Sequence, residues 1–308
     1  MEFANHPSQI ENSHLVRVAK RSDADKILQL LQTAVYRHLH VDWYLPGDWL
    51  GSQGFVVLAE KADSILSQAA KVIGTRDKLV GCLAAAADVK PIAWVRVAAL
   101  EKLPDDQVGL ATLLAPVEAY LKSQEITQLA WLVVEDWPRS WFEDLGFYIV
   151  NEIETYIKDD TAVPDIQNHQ VQIKPAEGSQ LNKLAEIEGA AFTPMWVHSV
   201  HALKLAFSQA LSFDVAMVDD AIVGFQLSAR SESGAHLVRI TVDSNWQNRG
   251  IGSALMAHAL KGYYRQGLQT VSLNTQIDNY PSQALYRKFG FRASGYRLPI
   301  WLKEFDHD

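Results

Sequence analysis

Val238-Arg239-Ile240-Thr241-Val242-Asp243-Ser244-Asn245-Trp246-Gln247-Asn248-Arg249-Gly250-Ile251-Gly252-Ser253-Ala254-Leu255 reads in order as a strand, a loop and the start of a helix. The β-branched run from Leu237 to Val242 predicts a buried strand. The loop is Q-x-x-G-x-G. Its glycines let the backbone turn tightly and let an anion approach. Successive N–H groups there form a concave donor site, and the following helix adds the positive end of its dipole. Arg249 adds a full charge. The stretch is therefore a diphosphate cradle in physical terms. It is not a Walker loop, because no Gly-Lys-Ser/Thr follows, and its spacing is not that of the dinucleotide fingerprint.

Around this centre the C-terminal half alternates between strand and helix patterns. Val171–Lys174 predicts a short strand, Gly178–Phe192 a helix, residues 195–211 a second helical region, and Phe213–Val218 with Ala221–Ala229 two strands joined at Asp219-Asp220. Beyond the loop come a helix to Arg265, a strand over Thr270–Thr275, a helix over Ser282–Phe289 stopped by Gly290, and one or two strands to Leu302. The order predicts an α/β fold, an α+β mixed sheet with helices on its faces.

The N-terminal half repeats this pattern. Trp141-Phe142-Glu143-Asp144-Leu145-Gly146-Phe147 matches Leu285-Tyr286-Arg287-Lys288-Phe289-Gly290-Phe291, and Val95-Arg96-Val97 matches Val238-Arg239-Ile240. Val16-Arg17-Val18 matches Val171-Gln172-Ile173 with a longer offset, so the first half carries about 12 extra residues before its central strand. Three matches in one order point to a duplicated domain. The polar stretch from Asp159 to His169, with Pro164, reads as a linker, giving domains 1–160 and 161–308.

Composition limits the function classes. The 308 residues carry 28 basic and 36 acidic side chains, a net charge of −8, which argues against general nucleic-acid binding. Residues 1–160 hold 15 basic and 23 acidic groups, so all of that net charge sits on the first half. It is either a solubilising face or an attractor for a cationic substrate or partner. Cys82 is the single cysteine, which excludes an intrachain disulfide and a cysteine-based zinc site; no metal site is expected. Met1 to Ser13 is polar and lacks the apolar core of a secretory signal, and no apolar run reaches a membrane span, so a cytoplasmic location is expected, with no membrane partner and no nucleic acid.

Downstream of the loop stands Asn279-Tyr280-Pro281-Ser282-Gln283-Ala284-Leu285-Tyr286-Arg287-Lys288-Phe289-Gly290-Phe291, with Asn279 seven residues before Tyr286. Together with the strand, loop and helix, this stretch resembles the GNAT acetyltransferase superfamily over most of residues 170–308. The resemblance implies two tandem GNAT-like acyl-CoA N-acyltransferase domains, the second catalytic. It implies acetyl-CoA as co-substrate, lying where the parallel strands at 237–242 and 270–275 splay apart. The backbone at Ile240, Thr241 and Val242 would pair with its pantetheine arm. N–H groups of Gln247, Asn248, Arg249, Gly250, Ile251, Gly252 and Ser253 would hold its pyrophosphate, and Asn279 its arm. Tyr286 would protonate the leaving thiolate, a role that suits a phenol with pKa near 10. The expected acceptor is a primary amine on a small molecule, with a protein N-terminus or lysine, or a non-catalytic CoA-binding module, as alternatives. For the base, Glu232, His236, Asp243 and a water chain all stay open.

The first half departs from this pattern. In the aligned register Gln247 becomes Pro104, Arg249 becomes Asp106, Gly250 becomes Gln107 and Tyr286 becomes Phe142; Gly109 alone persists. Pro104 lacks an N–H, Asp105 and Asp106 would repel a pyrophosphate, and Phe142 cannot donate a proton. This half is expected to keep the fold without catalysis. Its tryptophans (Trp43, Trp49, Trp94, Trp131, Trp137, Trp141) either pack its core or line a pocket. Trp246 is expected to pack the loop, and Cys82 to be a buried small hydrophobe.

Overall fold

The computed structural model describes residues 13–61, 78–166, 168 and 170–305. Met1 to Asn12 of the polar leader, and Gln167 and His169 of the expected linker, lie outside the described residues. The chain divides into two compact units, Met1–Val150 with Ile300–Asp308, and Asn151–Pro299.

The first unit runs β1 (His14–Val18), α1 (Ala24–Thr33), β2 (Tyr36–Leu39), β3 (Phe55–Glu60), β4 (Leu79–Ala86), β5 (Ile92–Leu100), α2 (Asp106–Ser123), β6 (Gln128–Leu132) and the one-turn α3 (Arg139–Phe142). Its sheet is ordered β1-β3-β4-β5-β6, and all its neighbours are antiparallel except β5 and β6. Every residue of β5 is buried, as expected for a central strand covered on both faces. One face packs on Leu110, Leu113, Leu114, Val117 and Leu121 of α2, the other on Ile27 and Leu30 of α1. The extra residues fall between β3 and β4, residues 61–78, where the second unit has only the turn Asp219-Asp220.

The second unit takes up β7 (Tyr148–Lys158) from Asn151 onward, then β8 (Gln172–Pro175), α4 (Leu181–Ala191), α5 (Val200–Gln209), β9 (Ser212–Val218), β10 (Ala221–Ser231), β11 (Gly234–Val242), α6 (Ile251–Arg265), β12 (Thr270–Gln276), α7 (Tyr280–Lys288) and the start of β13 (Arg292–Glu304). The strands are ordered β8-β9-β10-β11-β12-β7, and β11 with β12 is the parallel pair. This is the mixed sheet the sequence predicts. Residues 195–211 resolve into the short turn Pro194–Trp196 followed by α5, and the last segment is one strand rather than two.

The units divide ahead of the expected linker because both of their last strands cross the expected division. Ile153–Lys158 of β7 pairs antiparallel with β12, and Ile300–Glu304 of β13 pairs antiparallel with β6. The polar stretch itself is tied to the second unit. Val163 and Ile166 pack against its core, the Tyr264 hydroxyl donates to Asp160 O at 2.8 Å, and Arg292 pairs with Asp159 at 2.8 Å. Its apolar positions escape notice because its overall composition is that of a loop.

The repeated Gly-Phe sequence is a helix stop. Phe291 N–H bonds Tyr286 O at 3.1 Å and Gly290 N–H bonds Arg287 O at 3.0 Å, with Gly290 at φ 83°. That is the Schellman arrangement, and the two rings it brings together, Tyr286 and Phe291, lie 6.1 Å apart. In the first unit Phe147 N–H bonds Phe142 O at 2.8 Å, Gly146 N–H bonds Glu143 O at 3.0 Å, and the Phe142 and Phe147 rings lie 5.0 Å apart.

Gly234 opens the parallel pair, and a Cβ there would sit 2.1 Å from Thr270 O, its partner residue across the ladder. Gly234→Ala therefore forces the pair apart at its first rung. Urea unfolding is expected to show a loss of about 1–3 kcal/mol, the usual cost of overpacking.

Candidate active site

The parallel ladder between β11 and β12 is short. It runs from Gly234 opposite Thr270 to Leu237 opposite Leu273 and stops, although both strands continue. The cause is local: the register of β11 on β10 shifts at Val238, a bulge that turns the strand. Beyond it β11 keeps β10 on one side and presents an open edge on the other. The N–H of Asp243 bonds back to Val223 O at 2.9 Å, so by strand alternation the backbone groups of Ile240 and Val242 face that open edge. The structure thus brings the expected pantetheine-pairing groups to the fork. Thr241 is 2% exposed and its hydroxyl has no partner among the described residues, an orphaned polar atom at the same place.

At the tip of β11 the loop turns through Asn248 (φ 60°) and Gly250 (φ 77°) into α6. The first helical bond is Ala254 N–H to Gly250 O at 3.0 Å, which leaves the N–H groups of Ile251, Gly252 and Ser253 pointing off the helix end. Arg249 stacks on the Trp246 ring at 4.7 Å, so Trp246 packs the loop as expected. Gln247 is partly committed, donating to Val242 O at 3.3 Å. Lys288, from the last turn of α7, reaches Ser253 Oγ at 3.3 Å and adds a second cation beside the cradle. Nothing in the linear sequence links residues 253 and 288; only the packing of α7 on α6 brings them together.

Tyr286 sits at the same fork, 8% exposed. Burial pushes its phenol above the ordinary value, offset in part by the Ser282 hydroxyl, the Arg239 charge and the Thr275 hydroxyl. It is firmly protonated at neutral pH and can donate. Asn279 holds its own helix end: its Oδ1 caps α7 by accepting from Ser282 N at 3.2 Å, and its amide donates to Gln276 Oε1 at 3.3 Å. It positions the helix that carries Tyr286.

The base candidates fall elsewhere. His236 lies in the closed part of the ladder, its Nδ1 2.8 Å from Ser272 Oγ, and burial lowers its pKa. Glu232 belongs to the turn before β11, about 33 Å from Val242 at roughly 3.3 Å per residue. Asp243 accepts from Asn245 N at 2.9 Å and caps the loop.

The first unit has the same fork and fills it. Parallel pairing of β5 with β6 ends at Trp94 and Ala130, and the freed edge of β5 is taken by β2, Leu39 opposite Val97 through Tyr36 opposite Leu100. In the aligned register these β5 positions are those of Ile240 to Asp243. Aromatic packing holds β2 there. Tyr36 lies 5.4 Å from Trp137 and 5.2 Å from Trp141, and Trp137 Nε1 donates to Arg37 O at 2.7 Å. The cradle is filled as well: Asp105 accepts from Val108 N at 3.0 Å, and Asp106 accepts from Leu103 N and from the Tyr36 hydroxyl, each at 2.8 Å. Phe142 is fully buried against Trp131 and Trp301. Trp131 and Trp301 are core residues, and Trp137 and Trp141 are partly buried against that core. Cys82 is a buried thiol whose pKa is pushed up to about 12 by burial.

A forked parallel pair, a row of N–H groups at a helix start beside it, and a buried phenol between them define an acyl-CoA-dependent transferase fold. Residues 181–291 match the model of the acetyltransferase (GNAT) family, and the second unit is a GNAT N-acetyltransferase domain. The chain is 33% identical over 86 residues to a mycothiol acetyltransferase of Brachybacterium faecium, covering 26% of each chain. It is 30% identical over 79 residues to a ribosomal protein bS18-alanine N-acetyltransferase of Salmonella typhimurium, covering 26% of this chain and 53% of that one. The chain thus spans about a quarter to a half of the length of these two curated relatives. A tandem GNAT protein from the clavulanic acid biosynthesis pathway shares the fold across both units, with TM-score 0.61 and 14% identity over 96% of this chain and all of that one.

Gly252 has room for a side chain, its nearest neighbour lying 3.6 Å from a built Cβ. Gly252→Asp therefore keeps the fold while placing a carboxylate among the cradle donors. Acetyl-CoA affinity measured by calorimetry is expected to fall at least 100-fold, with little change in melting temperature and a far smaller effect for Gly252→Ala.

Proposed function

We propose that the second unit transfers the acetyl group of acetyl-CoA directly to a primary amine on a small molecule, with Tyr286 donating a proton to the departing thiolate, and that the first unit binds no acyl-CoA. The contrast between the two forks carries this reading. In the second unit the edge at Ile240 and Val242 is open and leads to free helix N–H groups. In the first unit the corresponding edge and cradle are taken by β2, Asp105 and Asp106.

The amine attacks the thioester carbon, the new C–N bond forms as the C–S bond breaks, and the thiolate needs a proton. The desolvation that raises the phenol also raises a buried thiol, so donation from Tyr286 stays close to balanced. The small-molecule acceptor is supported by the relative named for mycothiol; the relative named for bS18 makes a protein N-terminus the competing acceptor.

Calorimetric titration with acetyl-CoA tests the assignment of the two units: one site per chain is expected, and two would overturn it. No binding would leave an interaction module. A panel of small amines and N-terminal peptides then separates the acceptor classes. Tyr286→Phe is expected to lower turnover about 10²–10⁴-fold, the usual worth of a positioned general acid, with acetyl-CoA affinity within twofold of the parent.

A further inference from the structure

We propose that His198 accepts the proton of the attacking amine, with Glu188 and Arg239 holding it in place; the inference rests on the transfer reading above. Glu188 lies on α4 and is 0% exposed, a charge inside the core. Such a group persists only when paired. Its partners come from two other segments. Arg239 Nε, on β11 one residue past the bulge, is 2.7 Å from Glu188 Oε1. His198, between the Pro194–Trp196 turn and α5, gives its backbone N–H to Glu188 Oε2 at 3.1 Å and places its ring Nδ1 3.0 Å from Oε1.

The cluster stands at the fork. Arg239 follows the end of the β11–β12 ladder, its charge acts on the Tyr286 phenol, and its Nη2 lies 3.1 Å from His198 Nδ1. The guanidinium has other commitments, to Trp196 O at 2.7 Å and over the Phe192 ring at 4.7 Å, so it fastens the α4–α5 loop to the strand. Arg239 thus touches the histidine and acts on the phenol from one strand position.

The ring chemistry follows. Nδ1 faces a carboxylate oxygen, which can only accept, and Arg239 Nη2, which can only donate; Nη2 already donates to Trp196 O at 2.7 Å, so we assign the proton to Nδ1, toward Glu188 Oε1, and Nε2 keeps its lone pair. Nε2 has no partner among the described residues. The imidazole is 15% exposed, so the ring reaches solvent rather than lying sealed in the core. A carboxylate behind Nδ1 fixes the ring and steadies the cation formed when Nε2 takes a proton. Protons balance: the amine gives one to Nε2, Tyr286 gives one to sulfur, and the imidazolium returns a proton to the phenolate through water.

The test separates a base from a structural residue. His198→Gln keeps a side-chain donor for Glu188 but has no basic nitrogen. Its kcat is expected to fall at least 100-fold, as in His198→Ala, with acetyl-CoA affinity and melting temperature unchanged. A Gln variant within threefold of the parent kcat would overturn the proposal while leaving acetyl transfer standing. A parent protein that binds acetyl-CoA yet acetylates no amine would sink both readings. Independently of activity, ring ¹⁵N NMR of the parent protein is expected to show the neutral ring carrying its proton on Nδ1. The reverse tautomer would also overturn it.

Discussion

Parallel strands that part leave a row of backbone N–H and C=O groups that neither strand can satisfy. Burying such groups without partners costs free energy, so a fold that contains the parting must supply partners from somewhere. Both units contain it, one between β11 and β12 and one between β5 and β6. In the second unit the groups at Ile240 and Val242 face no strand, and Val242 O takes only a side-chain bond from Gln247. The loop from Gln247 then takes over at the tip, where helix geometry leaves more donors unpaired. The site is a gap in a hydrogen-bond ladder, extended by a gap in a helix.

The first unit meets the same demand from its own sequence. Where the second unit places helix α5 between its first helix and its sheet, the first unit places strand β2. Two carboxylates replace a bound anion at the helix start, and Tyr36 ties strand and carboxylate together. The arginine of the repeat is matched too. Arg96 pairs with Asp42 at 2.5 Å and His40 stands 3.4 Å from that carboxylate, as Arg239 meets Glu188 and His198. The two arginines share a strand position; their partners come from different elements, so the pairing arose on different scaffolding in each half.

What was legible in the sequence is what acts over a few residues. Q-x-x-G-x-G announces a turn and free donors because positive φ and a helix start are local properties. The Gly-Phe stop was visible twice for the same reason, and it located Tyr286 and Phe142. The departures at Pro104, Asp105 and Asp106 foretold a helix start whose N–H groups are met by the chain's own carboxylates. What stayed hidden depends on distant contacts. Nothing in Tyr36–Leu39 marks it as a partner for Val97–Leu100, and nothing joins Glu188 to Arg239 before the sheet is formed. His236 has a residue type that suits proton chemistry, and it is occupied by Ser272, a neighbour only the fold supplies. The unit boundary was missed because strands from both ends of the polar stretch complete sheets across it.

That crossing of strands has a bearing on how the chain comes into being. The edge of β6 waits for Ile300–Glu304, residues made about 170 positions later. At roughly 5–20 residues per second on a ribosome, the first unit stands with an unpaired β6 edge for some ten to thirty seconds while the second is built. Exposed strand edges are templates for wrong pairing. The acidic excess carried by residues 1–160 is on the chain at that stage, and like charges on two such chains repel.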